Sequence, residues 1–267
     1  MANFSLRLSD CWAKTDPASG LPALTVRDHC LIVGAVAEAL GATPVFTWLS
    51  GCHDVGKISP GFLAKSFIWL QDHHLTEVAN SRLWKSAETD HSKVSQFSLQ
   101  HHLRNHQAMS KDDAALWAAL SSMHHGSPHW RGKWNEYPPG IVPDDHWEIL
   151  RQELIHELAA CFNVCGRQQW PQIELSSQAH LFRLAGLTSV ADWIGSDERF
   201  FPPAGMEHKF DLDDLRVTAR DAISQIGFAQ PNFTLGLEFD ELFGFHPNKL
   251  QVETLATITE PGVLRCN

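Results

Sequence analysis

Apolar residues recur every three or four positions along much of this chain, and that spacing constrains its fold more than any other sequence feature. It is typical of helices that bury one face. The first such stripe consists of Val26, Cys30, Val33, Ala37 and Leu40. A capping box at residues 25–28 predicts where this helix begins, and Gly41 predicts where it ends.

The same signals predict helices along most of the remaining sequence. A second helix opens at Thr43-Pro44 and ends near Gly56, which places His53 and Asp54 in its last turn. We also predict a helix from near Asp90, one capped by Asp112, helices at 145–162, 177–194 and 211–226, a loop at 130–143, and a possible element from His246 to Thr259. The sequence shows no convincing strand hairpin, repeat or low-complexity tract, so the predicted class is all-α.

The composition fits one sizeable domain followed by a tail. The chain has 267 residues, of which 43% are hydrophobic, including 10 Trp and 15 Phe, so a large buried core is available. After about Phe228 the sequence becomes rich in Pro, Gly, Phe and Asn, which indicates a linker. We therefore predict a domain at residues 1–228 and, at residues 229–267, a linker that leads into another element.

Charge and cysteine usage narrow the choice of partners and of cellular compartment. A net charge of −10 argues against a general basic surface for nucleic acid, although metal ions or a partner protein could still bring a strand to the chain. The six cysteines are scattered, and we expect reduced, mostly buried thiols. No stretch resembles a signal peptide or a membrane span, so we expect a cytoplasmic protein with no membrane partner.

The adjacent pair His53-Asp54 offers a metal ion one nitrogen and one carboxylate ligand at a predicted helix end. A second pair, His124-His125, lies at another predicted helix end, and His29, His91 and Asp192 lie on separate helical segments. Nitrogen donors outnumber carboxylates in this set, which favours iron, manganese, nickel or cobalt over magnesium. One carboxylate can bridge two ions, and a bridged pair can hydrolyse a phosphodiester, so the set predicts two metal centres around Asp54.

Most of these residues also have an ordinary structural explanation when taken alone. An inward-facing His29 or a helix-terminal Asp192 is commonly a hydrogen-bonded residue, and His91 fits the first turn of a helix. Lys57 alone would be a solvated loop charge. Adjacent histidines also occur at 73–74 and 101–102, where we expect surface positions because no Gly stop and apolar helix accompany them.

Taken in order, the candidate residues resemble a known series of motifs. The series is His29, His53-Asp54-x-Gly-Lys57, His91, His124-His125-Gly and Ala191-Asp192-Trp193-Ile194-Gly195-Ser196. The sequence at 11–15, 57–62 and 187–190 agrees with it. Over residues 10–205 the chain resembles the HD nuclease domain of the type I CRISPR-associated nuclease-helicase, the third Cas protein, in the HD phosphohydrolase superfamily. The resemblance implies an all-α, HD-domain helical fold with a dinuclear metal site.

The resemblance also implies roles for individual residues. One divalent transition-metal ion would be held by His29, His53, Asp54 and Asp192, and a second by Asp54, His91, His124 and His125. Lys57 would face the scissile phosphate beside Asp54, and Ser196 would support the site.

By the same resemblance, the chain is a metal-dependent endonuclease or exonuclease that cuts single-stranded DNA in CRISPR interference, an antiviral defence. Its implied partners are single-stranded DNA, a helicase portion or subunit, and the RNA-guided surveillance complex, Cascade. Residues 245–251 resemble the beginning of the helicase region. The sequence contains no Gly-rich Lys-Thr phosphate loop, so we expect a separately encoded nuclease subunit or a fragment that does not hydrolyse ATP by that route.

Two other functions stay open at this point. An HD phosphohydrolase that acts on a nucleotide or cyclic nucleotide needs a closed pocket with groups that bind base and sugar, whereas a nuclease needs an open groove. The other alternative is a non-catalytic interaction module with a vestigial site, and the intact ligand set argues against it. Metal analysis of the purified protein would separate these classes.

Overall fold

The computed structural model describes residues 6–126, 145–164, 170, 178–228 and 238–257. Helices dominate these residues, which confirms the all-α prediction. The helices are α1 (Val26–Ala39), α2 (Pro44–Gly51), α3 (Pro60–Leu63), α4 (Phe67–Asp72), α5 (Thr76–Ala79), α6 (Arg82–Lys85), α7 (His91–Asn105), α8 (Lys111–Ser122), α9 (His146–Cys161), α10 (Gln178–Gly195), α11 (Leu212–Ile226), α12 (Phe239–Phe243) and α13 (Lys249–Thr257). Short 3-10 helices lie at Leu8–Asp10, Cys52–Lys57 and Met123–His125.

Helix starts follow the capping residues closely. The side chains of Thr25, Asp90, Asp145 and Asp211 each accept a hydrogen bond from a backbone N–H of the first turn, at α1, α7, α9 and α11. The predicted cap of α8 was wrong. Ser110 caps that helix through the N–H of Asp113, and Asp112 lies inside the first turn. The loop predicted at 130–143 lies outside the described residues.

A strand hairpin near the beginning of the chain corrects the sequence analysis. Strands β1 (Trp12–Thr15) and β2 (Pro22–Thr25) pair antiparallel with two irregularities in register. Each strand has only four residues, so neither shows the alternation that identifies a strand in sequence. The turn residues Asp16 and Gly20 were the available signal.

The core of the first compact unit surrounds α1, which is buried along nearly its whole length. Helices α2, α10 and α11 pack against it. The chain divides into two compact units, Met1–Phe228 and Ala229–Asn267. The second unit contains α12 and α13, and its role as a linker and the start of a helicase region stays a prediction. None of the described helices is long and apolar enough to cross a membrane.

Gly56 lies in the 3-10 helix Cys52–Lys57, the site-bearing segment, which carries His53 and Asp54. It packs so closely against α7 that this position requires a glycine. A Cβ atom at this position would lie 2.1 Å from the His91 carbonyl oxygen and 2.4 Å from the Ser95 backbone nitrogen. The Gly56 N–H donates to the Ser95 hydroxyl at 2.8 Å. The prediction that Gly56 ends the second helix was wrong, because α2 ends at Gly51 and a 3-10 helix, Cys52–Lys57, carries the His-Asp pair.

A buried ion pair on α9 bonds to Ile58, the residue that follows the same segment. Arg151 on α9 is fully buried and pairs with Glu148 at 2.9 Å. Its Nη1 donates to the Ile58 carbonyl oxygen at 2.7 Å, and its Nε donates to the Ser98 hydroxyl at 2.7 Å. One side chain thus ties α9 to α7 and to the residue that follows the 3-10 helix.

Candidate metal centre

Asp54 lies at the centre of the candidate site and is only 2% exposed. Its oxygen Oδ2 faces one pair of imidazoles, with His29 Nε2 at 3.0 Å and His53 Nε2 at 3.3 Å. Its other oxygen, Oδ1, faces a second pair, with His91 Nε2 at 3.2 Å and His124 Nε2 at 3.4 Å. The two oxygens of one carboxylate are therefore divided between two groups of histidines.

Each group gains one further predicted residue. Asp192 on α10 completes the first group, with its Oδ1 3.4 Å from His29 Nε2 and 3.5 Å from His53 Nε2. His125 completes the second group, with its Nε2 3.1 Å from His91 Nε2. The donor atoms of His29, His53, Asp54 and Asp192 all lie within 4.8 Å of one another, as do those of His91, His124 and His125.

Hydrogen bonds from outside these groups orient two of the donors. His53 Nδ1 donates to the Ser50 carbonyl oxygen at 2.9 Å, so Nε2, which faces the carboxylates, is the nitrogen that would bind a metal once its proton is displaced. The Ser196 hydroxyl, one helical turn after Asp192, donates to Asp192 Oδ1 at 3.0 Å. Sequence reasoning named Ser196 but missed Ser50, because a backbone carbonyl carries no residue-type signal.

Several buried atoms that could bind a metal have no hydrogen-bond partner among the described residues. They are His29 Nδ1, His53 Nε2, Asp54 Oδ1 and both ring nitrogens of His124. Leaving such an atom unsatisfied costs about 1–3 kcal/mol. Coordination of one cation by His53 Nε2, and of a second by Asp54 Oδ1 and His124 Nε2, would remove that cost, and a mixed imidazole and carboxylate set suits borderline divalent metals. The residues present therefore fit metal ions.

Burial and the neighbouring charges give these groups different proton affinities. Burial lowers the pKa of His29 below its ordinary value and that of His124 to about 4, so both rings are neutral near pH 7. Burial also opposes charge on His53, but the nearby Asp54 and Asp192 carboxylates outweigh it and raise the pKa of His53 to about 9. Burial alone would raise the pKa of Asp54, yet the charges of His53 and Lys57 hold it well below its ordinary value. A metal must therefore displace a proton from His53.

Metal occupancy should consequently rise with pH. Neutral imidazole is the form that binds a metal, and His53 holds its proton up to about pH 9. We expect bound metal to fall as the pH drops below about 9, because His53 then competes for its proton, and we expect metal binding to release protons. We also expect manganese, cobalt, nickel or iron to occupy the site in preference to magnesium. Metal analysis of chelator-treated, reloaded protein across pH tests both; full activity with magnesium alone would contradict the donor argument.

Lys57 is buried beside Asp54 and is only 9% exposed. Its Nζ lies 2.7 Å from Asp54 Oδ2 and 3.5 Å from the Ala13 carbonyl oxygen, and 5.3 Å from the centre of the Phe62 ring. The alternative of a solvated loop charge therefore does not hold. Its ammonium is a fixed positive charge at the first histidine group.

The structure also corrects one prediction about the remaining histidines. His102 is 2% exposed, so the predicted surface position was wrong for that residue, whereas His74 is exposed. His102 lies in a third histidine cluster with His106 and His156. The i,i+4 spacing of His102 and His106 in one predicted helix was the sequence signal for it.

A helical domain that gathers two His/Asp donor groups around a His-Asp pair is of the HD class. The chain belongs to the family described as the HD domain of Cas3, since residues 12–201 match the family model.

Known relatives agree with that family. The chain is 22% identical to the CRISPR-associated nuclease/helicase Cas3 of Streptococcus thermophilus over a gapped alignment of 254 positions, which covers 81% of this chain and 26% of that protein. It is 26% identical to the CRISPR-associated endonuclease/helicase Cas3 of Thermus thermophilus over a gapped alignment of 269 positions, which covers 90% of this chain and 28% of that protein. The chain thus spans little more than a quarter of either relative.

Solved structures share the fold. A CRISPR-associated protein matches with a TM-score of 0.71 at 24% identity, covering 96% of this chain and 32% of that chain. The Thermus thermophilus Cas3 HD domain, crystallised in the presence of Ni²⁺, matches with a TM-score of 0.56 at 23% identity, covering 84% of this chain and 92% of that chain. A chain of a CRISPR RNA-guided surveillance complex before nicking matches with a TM-score of 0.56 at 19% identity, covering 93% of this chain and 30% of that chain.

Proposed function

We propose that this chain is a metal-dependent nuclease that cleaves single-stranded DNA in type I CRISPR interference. The observation that carries the proposal is the division of the Asp54 oxygens between two groups of histidines. A carboxylate so placed is suited to bridge two ions in phosphodiester hydrolysis. Membership of the Cas3 HD domain family supports nuclease chemistry, since both relatives are described as nuclease or endonuclease and helicase.

We assign one ion to His29, His53, Asp54 and Asp192 and the other to Asp54, His91, His124 and His125. Five imidazoles against two carboxylates favour a transition metal over magnesium, and the related HD domain crystallised with Ni²⁺ is consistent with that choice. The chemistry that such a pair supplies when bound is activation of water and stabilisation of the attacking and leaving oxygens.

The protein itself contributes orientation and fixed charge. Ser50 and Ser196 hold His53 and Asp192 in place through hydrogen bonds of 2.9 and 3.0 Å, so these donors need not reorganise during a reaction. The buried ammonium of Lys57 is a positive charge that the protein itself places at the site, and we assign it to the scissile phosphate, where negative charge builds up in the transition state.

Lys57→Ala should therefore slow cleavage by roughly tenfold to a thousandfold, judged from the loss of single donors at other preorganised sites. The bound metal should be retained, because Lys57 supplies no ligand. Lys65→Ala is the matched control, since Lys65 is exposed but also lies over the Phe62 ring, at 4.7 Å. Rate, metal content and Tm are measured together; an unchanged rate with unchanged metal and Tm would remove the catalytic assignment of Lys57.

The partners follow from the same proposal. A net charge of −10 does not suit the chain to grip duplex DNA. A helicase portion or subunit would deliver a single strand, as the nuclease/helicase relatives suggest. Recruitment by an RNA-guided surveillance complex is proposed from the family and from the likeness to a chain in such a complex.

The isolated chain should cut single-stranded DNA in preference to duplex DNA, without ATP. The test supplies single-stranded DNA, duplex DNA, RNA and free nucleotides to chelator-treated protein reloaded with each divalent metal. Duplex cleavage as efficient as single-strand cleavage, with no partner present, would contradict the substrate assignment. Selective hydrolysis of a free or cyclic nucleotide would instead favour a small-molecule phosphohydrolase, and failure to bind metal would favour a non-catalytic module.

A further inference from the structure

A third group of imidazoles lies apart from the candidate centre and shares no residue with it. His102 on α7, His106 directly after that helix and His156 on α9 form a triangle in which each pair of ring centroids is 4.7 Å apart. Their candidate ligand atoms all lie within 4.8 Å of one another. His102 is buried, whereas His106 and His156 are exposed, so the group opens to the surface.

The hydrogen bonds of Gln152 determine which nitrogen of His102 carries the proton. Gln152 Nε2 donates to the Ser98 carbonyl oxygen at 2.9 Å and to Glu148 Oε1 at 2.7 Å, and both of those atoms are acceptors. The amide oxygen of Gln152 must therefore face His102 Nδ1, 3.0 Å away, and accept its proton. His102 Nε2 is left with a lone pair.

His156 is oriented by the same residue. Its Nδ1 donates to the Gln152 backbone carbonyl oxygen at 2.7 Å, which again leaves the lone pair on Nε2. Histidines that bind metals almost always donate the other ring N–H to a carbonyl or carboxylate in this way. One residue, Gln152, thus fixes two imidazoles in the tautomer that a metal requires.

Electrostatics agree with a neutral cluster. Burial, opposed by the Gln152 hydrogen bond and reinforced by His156 and His106, lowers the pKa of His102 to about 4. Burial and the charge of His156 also lower the pKa of His106. Neutral imidazoles in close contact are suited to share a borderline divalent cation.

We propose that His102, His106 and His156 form a further metal site, which binds Zn²⁺ or a similar borderline divalent ion through three imidazole nitrogens. Zn–N bonds of about 2.0–2.1 Å require nitrogens within about 4 Å of one another, so the three nitrogens, now within 4.8 Å of one another, would move closer on binding. The fourth position faces the solvent and takes water.

The ion joins the end of α7 to α9. Helix α7 begins with His91, about 16 Å along the helix axis from His102 at 1.5 Å per residue, and α9 carries the Arg151–Glu148 pair that bonds to Ile58. Both helices bond to the Cys52–Lys57 segment or to the residue that follows it. Bound metal at this site therefore stabilises the packing of α7 against α9. Its loss lowers the Tm but leaves every residue of the candidate metal centre in place.

The test measures Zn²⁺ binding to the full chain after chelation, by metal analysis and by the rise of Tm with Zn²⁺ concentration. The variants are His106→Ala and His156→Ala, whose side chains are exposed. His73→Ala is the matched control, because His73 Nδ1 also bonds to the carbonyl oxygen four residues earlier, at 2.9 Å, but His73 belongs to none of the three clusters. We expect each cluster variant to bind one Zn²⁺ fewer per chain and to show a smaller rise in Tm, with the control unchanged.

The same comparison in an Asp54→Ala background separates this proposal from the proposed nuclease centre. Asp54→Ala protein should still bind a Zn²⁺ ion that the Asp54→Ala, His156→Ala protein does not bind. Equal Zn²⁺ content and equal Tm shifts in the presence and absence of His156, in both backgrounds, would overturn the further site. That result would leave the assignment of the HD centre untouched.

Discussion

Asp54→Ala should abolish cleavage of every substrate. Among the described residues, Asp54 is the one whose two oxygens face different histidine groups, at 3.0 Å from His29 and 3.2 Å from His91. Its removal takes away a ligand from both proposed ions at once, whereas the loss of any other donor affects one ion. His53→Ala should be nearly as severe, because its Nε2 faces both Asp54 and Asp192.

The measurement compares the rate of single-stranded DNA cleavage and the metal content of variant and unaltered protein. Asp72→Ala provides an exposed aspartate as a control, and His73→Ala provides a histidine outside the donor groups; both should keep their activity. Circular dichroism shows whether the variant is folded, which matters because Asp54→Ala leaves the buried Lys57 unpaired. Near-normal activity in a metal-replete Asp54→Ala protein would defeat the two-metal assignment.

Arg151→Ala should lower the free energy of unfolding by about 3–5 kcal/mol, because it leaves the Glu148 carboxylate buried without its arginine partner. That is a large share of the roughly 5–15 kcal/mol that stabilises a typical domain. Arg151 is itself fully buried, and the Ile58 carbonyl oxygen and the Ser98 hydroxyl lose their donor with it. Urea denaturation measures the loss.

Two further variants identify the cause of that loss. Arg104→Ala removes an exposed arginine from α7 and should cost no more than about 1 kcal/mol. Combining Arg151→Met with Glu148→Gln removes the unpaired charge while keeping side-chain volume, so this double variant should be more stable than Arg151→Ala. A loss below about 1 kcal/mol for Arg151→Ala would show that the ion pair does not hold α9 to the site-bearing segment.

The sequence alone determined where most of the major helices begin and which residue types could bind metal. Asp90, Asp145 and Asp211 identified helix starts correctly because capping depends on backbone groups only a few residues away. The His-Asp pair identified candidate ligands because imidazole and carboxylate carry that chemistry wherever they lie. The predicted cap of α8 was wrong because two neighbouring residues could serve as the cap. The β1–β2 hairpin was missed because its strands are too short to show a pattern.

Only the tertiary structure decided which side chains are buried and which way they point. The division of the Asp54 oxygens and the buried ion pair of Arg151 depend on helices that are distant in sequence. The burial of Lys57 and of His102, both of which have an ordinary surface explanation in the sequence, depends on the same packing. Side-chain exposure, ring orientation and pKa are set by atoms brought close through folding, so no local pattern encodes them.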